Sequence, residues 1–230
     1  MLTQWLRPMA LETFLQVHLQ KQPLARPGVA ASAIPLFSWG HFDTLLRSEA
    51  PLDLLTVQKG LLAKAPAPRC QADVRHLLDR GVSVVIRGSE RNDPGLASLA
   101  QAFIEVLPGE VHVQLYATPA GSHSYGWHYD FEDVFIVQTA GIKDYYFRDN
   151  TVARATVLGE TLDFGAVRAE TTPLYSARLL PGDWLYLPAR WWHFVTCAET
   201  SLSISVGVMP PEALHNARRL PAGWSGLPEA

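Results

Sequence analysis

Hydrophobic positions recur along this 230-residue chain with two different periods, and the change falls near residue 109. Before it the spacing is mostly helical. In "ALETFLQVHLQ" (10–20), Leu11, Phe14, Leu15 and Leu19 share one helical face, and "KQPLARPG" closes the segment with prolines and a glycine. "SWGHFDTLLRSEAPLDLL" (38–55) reads as short helical turns separated by Pro51. "ADVRHLLDRG" (72–81) is an amphipathic helix capped by Gly81, "VSVVIRG" (82–88) a buried strand, and "DPGLASLAQAFIEVLPG" (93–109) a helix with Pro94 near its start. Beyond 109 the period becomes two. "EVHVQLYATP" (110–119) puts Val111, Val113 and Leu115 on one face and His112, Gln114 and Tyr116 on the other. "DVFIVQTAG", "KDYYFRD" and "SLSISVGV" continue as short strands broken by Gly, Pro and Asp. The pattern predicts an α+β protein with a mainly β core. A mostly helical N-terminal region (1–107) packs on a sandwich or double-sheet barrel (108–210), and a short C-terminal tail (211–230) follows.

Composition narrows the setting. An apolar fraction of 48% with 18% charged residues supplies a globular core, and the net charge of -3 argues against a broad nucleic-acid footprint. The two cysteines, Cys70 and Cys197, form no CxxC pair, which speaks against a zinc knuckle or a disulfide scaffold. No stretch has the length of a membrane span, and the N-terminus lacks the apolar core of a secretory signal. The expectation is a soluble cytoplasmic protein.

The candidate chemistry lies in "GSHSYGWHYDFEDVFIVQ" (121–138), which holds the step His128-x-Asp130. The tripeptide alone carries little weight: with 8 His in the chain, chance yields on the order of half such a step. A second copy, His41-Phe42-Asp43, precedes "TLLRSEA", and there Asp43 is expected to cap a helix. His128-x-Asp130 differs in its company. On extended chain, residues i and i+2 project to one side. His193, in "LLPGDWLYLPARWWHFVTC" (179–197), can reach the same barrel interior from another strand. Two imidazoles and a carboxylate on one face of a metal suit non-haem iron, and they also suit zinc with an open position. Lys143 opens the aromatic strand "KDYYF" fifteen positions after His128, and turned inward it needs an anion, such as the carboxylate of a dicarboxylate co-substrate. Tyr116 is a candidate second donor to that carboxylate, and Ser205 the serine of the last strand assigned to the co-substrate. Tyr125 and Trp127, in the loop before the step, and Glu132, placed to orient a cationic side chain, are the candidate substrate contacts.

Taken together, HxD, a lysine fifteen residues on and "GDWLYLPARWWH" resemble the JmjC branch of the cupin superfamily. More narrowly they resemble ribosomal oxygenases and the asparaginyl hydroxylase of the hypoxia-inducible factor, over roughly residues 72 to 208. The resemblance implies a double-stranded β-helix (jelly-roll) fold and an iron(II)- and 2-oxoglutarate-dependent hydroxylase using O2 and releasing succinate and CO2. It implies His128, Asp130 and His193 as iron ligands, Lys143 on the distal carboxylate of 2-oxoglutarate, and Tyr116 near the co-substrate. The implied substrate is a side chain of a protein or peptide, or a free amino acid, with the chain acting as a monomer or homodimer. A catalytically silent peptide-binding barrel and a cupin-like zinc hydrolase are the competing readings.

Overall fold

In the computed structural model, which describes residues 1–123, 125–153, 163–211 and 213, the alternating segments assemble into two antiparallel sheets. The strands are β1 (Leu24–Arg26), β2 (Asp53–Gln58), β3 (Leu61–Leu62), β4 (Ser83–Arg87), β5 (Glu110–Thr118), β6 (Asp133–Ala140), β7 (Lys143–Arg148), β8 (Tyr175–Leu179), β9 (Trp184–Leu187), β10 (Trp192–Cys197) and β11 (Ser201–Met209). The larger sheet runs β1-β9-β6-β11-β5-β4-β2-β3 and the smaller one β10-β7-β8. This is the jelly-roll arrangement that the strand spacing and the resemblance both lead one to expect. Most of the expected tail (212 and 214–230) lies outside the described residues.

Alternation explains how the large sheet is buried on both faces. In β11, Leu202, Ile204, Val206 and Val208 join a core with Trp5, Phe14, Phe37, Phe42, Leu99 and Phe103 from the N-terminal region. The opposite row, with Ser203 and Ser205, turns toward the small sheet and its own cluster of Ile136, Tyr145, Phe147, Leu179 and Leu185. The small polar residues of this row leave space where the large apolar ones would fill it. Gly141 makes the β6–β7 turn at φ +67, and a Cβ there would overlap the backbone of Thr200.

The N-terminal region differs from its expected form in two places. Besides β4, which forms within the strand expected over 82–88, three short strands, β1 to β3, come from before residue 108, and together they extend the large sheet at both ends. The turns expected over 38–55 are helical only as far as the helix Trp39–Leu46, and Asp53, Leu54 and Leu55 instead pair with β4. Tertiary pairing overrides the local pattern there. The helices Gln71–Asp79 and Pro94–Ile104 form where expected. Gly81 closes the first with hydrogen bonds from its own N–H to Leu78 O and from Val82 N to Leu77 O. Asp93 caps the second through the Leu96 N–H at 2.8 Å. Among the described residues no helix is long and apolar enough to cross a membrane.

Candidate metal centre

The stretch 121–128 runs alongside β10 as an interrupted strand. At one end Gly121 N donates to Cys197 O (2.8 Å) and Cys197 N to Ser122 O (3.1 Å). At the other, His128 and His193 exchange both backbone hydrogen bonds, at 3.1 and 2.8 Å. Five residues lie between Ser122 and His128 while only three lie between His193 and Cys197. Between these pairings Tyr125 turns to the His128 ring and Trp127 stacks on Phe194 of β10. The direct pairing of His128 with His193 brings their imidazole centroids to 4.1 Å.

Each imidazole is oriented by its own backbone. His128 Nδ1 lies 2.7 Å from Gly126 O, and His193 Nδ1 lies 3.0 Å from Trp191 O. A carbonyl can only accept, so each Nδ1 carries the hydrogen and each Nε2 lone pair is free to ligate. Burial, and then the neighbouring His128, lower the His193 pKa to about 4, so its ring is neutral at physiological pH. Asp130 is held by the Arg190 N–H on its backbone oxygen (2.6 Å), with Oδ2 3.5 Å from His193 Nε2. One ligand atom from each of His128, Asp130 and His193 lies within 4.8 Å of the others. This donor set fits a metal gripped on one face.

The triad opens into a cavity of ≈ 80 Å³ between the sheets, enough for a small ligand rather than a single water. Deep in it lies Lys143, 3% exposed, its Nζ donating to Ser203 Oγ at 2.7 Å and sitting 5.7 Å from the Tyr116 ring centroid. Among the described residues no carboxylate lies within ion-pair distance of it. Burial pushes its pKa below the usual lysine value. A buried, uncompensated ammonium is costly unless a ligand brings the missing charge.

A family model described as the JmjC domain matches residues 89–216, more than half of the chain. The chain belongs to the JmjC family. The JmjC chain is 31% identical over 118 residues to Jumonji C domain-containing protein 5 of Drosophila melanogaster, covering 44% of this chain and 28% of the relative. It is 27% identical over 221 residues to ribosomal oxygenase 1 of Gallus gallus, covering 90% and 36%. Among solved structures it resembles the Escherichia coli ribosomal oxygenase YcfD in complex with cobalt and 2-oxoglutarate, with a TM-score of 0.66 and 22% identity over 89% of this chain and 52% of that one. The complex of YcfD with cobalt and succinic acid aligns with a TM-score of 0.65 and 19% identity over 97% and 61%. These likenesses establish the fold. The JmjC chain spans about a third or less of the length of the curated relatives it matches.

The remaining candidates divide by place. Tyr116, Tyr125 and Ser205 line the cavity with the triad and Lys143. The Tyr116 hydroxyl donates to Gln114 Oε1 at 2.8 Å. Tyr125 packs 5.4 Å from the His128 ring, and burial raises its phenol to about 12, so it stays protonated. Trp127 is outside the cavity lining, stacked 5.8 Å from Phe194. The Glu132 carboxylate lies over Gly207, where a Cβ would overlap Oε2. Burial, then repulsion from Asp130, raise the Glu132 pKa to about 7.

Asp133, next to Glu132, is structural: it accepts from Tyr186 OH at 2.5 Å and from Ala189 N at 3.2 Å, bracing the turn that leads to His193. Ser203, Thr118 and Tyr145 also line the cavity and were not singled out from the sequence. Each shares a strand face with a predicted residue, an alternation visible in the sequence, yet only register decides which serine meets Lys143. Asp43 is not the N-cap of its own helix as expected. Ser38 is that cap (His41 N to Ser38 Oγ, 3.2 Å), while Asp43 binds Arg47 at 2.7 Å and accepts from Gln71 N at 2.6 Å.

Proposed function

We propose that this JmjC chain is an iron(II)- and 2-oxoglutarate-dependent oxygenase that hydroxylates a C–H bond of an amino-acid side chain in a protein or peptide. The observation that carries the reading is the unpaired ammonium of Lys143 in the same cavity as His128, Asp130 and His193. A ligand that answers both ends needs a chelating head and an anionic tail, and 2-oxoglutarate has both. YcfD, of the same fold, has been solved with cobalt together with 2-oxoglutarate or succinic acid. A zinc hydrolase would leave Lys143 without a role, and a silent barrel would have no need of the pinned triad.

When bound, iron(II) with dioxygen and 2-oxoglutarate supplies the oxidising power for C–H hydroxylation, with succinate and CO2 released. The chain's own part is orientation and shielding. His128 and His193 offer Nε2, and Asp130 its carboxylate. Lys143, steadied by Ser203, meets the distal carboxylate of the co-substrate. If the Gln114 amide is turned over, its N–H donates to the Tyr116 oxygen and frees the phenol hydrogen for the same carboxylate. Ser205 adds a hydroxyl on the same wall, and Val134, Ile136 and Val195 keep that wall dry. Tyr125, on the cavity lining beside His128, meets the incoming side chain. Glu132, packed over Gly207 outside that lining, is the contact for a cationic one, and Trp127 steadies the loop against Phe194.

Iron-dependent conversion of 2-oxoglutarate to succinate by the purified chain, stimulated by peptides from a cell-protein digest, tests the reading. Stimulation by free amino acids alone would make the substrate a small molecule. Undiminished succinate release from the His128→Ala protein would sink the assignment of the triad.

A further inference from the structure

Three tyrosines, Tyr116, Tyr125 and Tyr145, line the cavity. Tyr116 and Tyr145 belong to β5 and β7 and are held by ladder register toward the Lys143 end; the Tyr116 ring lies 5.7 Å from Lys143 Nζ. Tyr125 differs on two counts. Of the three, it alone makes a ring contact with a triad residue, its centroid 5.4 Å from that of His128 and tilted by 53°. It also stands in the loop between the Ser122 and His128 pairings and next to Gly126, where a Cβ would meet open space. The ring is therefore placed beside the triad from a loop and not from a strand of either sheet. An electron-rich phenol ring at this distance from the triad is the nearest oxidisable aromatic among the three tyrosines.

We infer that Tyr125 is a self-modification site, hydroxylated on its ring carbon next to the phenol to give a catechol when the cavity mouth is free of substrate. The inference rests on the oxygenase reading above. Its balance is that of the parent reaction. One ring C–H becomes C–OH with one atom of O2, and the other oxygen atom enters the carboxylate of succinate. The bond between C1 and C2 of 2-oxoglutarate breaks to release CO2. Ring and co-substrate each lose two electrons, and O2 takes all four. A Tyr125 catechol beside His128 would present two adjacent oxygens towards the metal that His128, Asp130 and His193 would hold.

The test incubates the full chain with iron(II), 2-oxoglutarate and air, without added substrate, and measures three things: succinate, the mass of the peptide bearing Tyr125, and catechol by redox-cycling stain on the denatured, metal-free protein. The expected result is the gain of one oxygen atom on Tyr125, with the label appearing when ¹⁸O2 is used. Catechol stain should be absent from the anaerobic sample and from Tyr125→Phe, in which a single hydroxylation yields only a phenol. Succinate formed with Tyr125 unmodified, or with the oxygen on Tyr116 or Tyr145 instead, overturns the inference and leaves the oxygenase reading intact. No iron-dependent succinate, with or without peptide, removes both.

Discussion

The chain contains the step His-x-Asp twice, once in the helix Trp39–Leu46 and once beside β10. In the helix, successive residues turn by about 100°, so positions two apart point to nearly opposite sides. His41 accordingly reaches Asp93, with Nε2 and Oδ2 3.2 Å apart, while Asp43 turns to Arg47 and the Gln71 N–H. In the extended copy the same spacing puts both side chains on one side, and the paired strand adds His193 to them. The two copies also differ in what holds the imidazole. His128 and His193 each carry a backbone carbonyl on Nδ1 that leaves Nε2 free, whereas the Nε2 of His41 is already against a carboxylate. A motif of this kind is therefore a statement about period. The same three residues build a metal site on extended chain and two unrelated surface contacts on a helix.

Removing the first histidine of each copy breaks the comparison most sharply. His128→Ala, like His193→Ala, is expected to abolish metal binding, followed by titration with cobalt(II), together with iron-dependent succinate formation. His41→Ala should leave both unchanged. Next in size is Lys143→Met. We expect affinity for 2-oxoglutarate, measured by calorimetry, to fall about 10- to 100-fold with the lost charged hydrogen bonds. Thermal unfolding should show the opposite sign, a gain of about 1–4 kcal/mol from replacing a buried unpaired charge with an apolar chain. If stability falls instead, the ammonium has a partner that compensates it without ligand.

Gly207→Ala places a methyl where the Glu132 carboxylate lies, and overpacking of this kind costs about 1–3 kcal/mol. Adding Glu132→Ala should restore the stability, and a double-mutant cycle that shows simple additivity would mean the two positions do not touch. The smallest effect is expected from Asp43→Asn, which keeps an acceptor for Gln71 N and loses only the exposed pair with Arg47. Its melting temperature should drop by less than that of Gly207→Ala, with cobalt binding untouched.

Much of this was legible in the linear chain. Period-two alternation over 110–119 and the short apolar run Val134–Val137 between a polar start and Gly141 mark strands, the first because a pleated chain sorts its side chains by face and the second because β6 is buried on both faces. The triad and Lys143 are legible because ligand chemistry restricts the residue types and because their spacing is set by strand and turn lengths. Other features were decided only when distant segments met. That Ser203 rather than Ser205 holds Lys143 depends on the register that sets Ser203 opposite Tyr116 and Gln138. That Asp53–Leu55 is strand depends on the free edge of β4, and the cap that Asp43 supplies to Gln71 depends on the packing of two helices. Glu132 can lie as it does only because Gly207, 75 residues further along the chain, has no side chain. The sequence by itself determined the strand alternation and the set of residues able to ligate, since local period and donor chemistry need no partner. Register, burial of charge and exclusion by a neighbour's missing Cβ are properties of pairs far apart in the chain, and only the tertiary structure decided them.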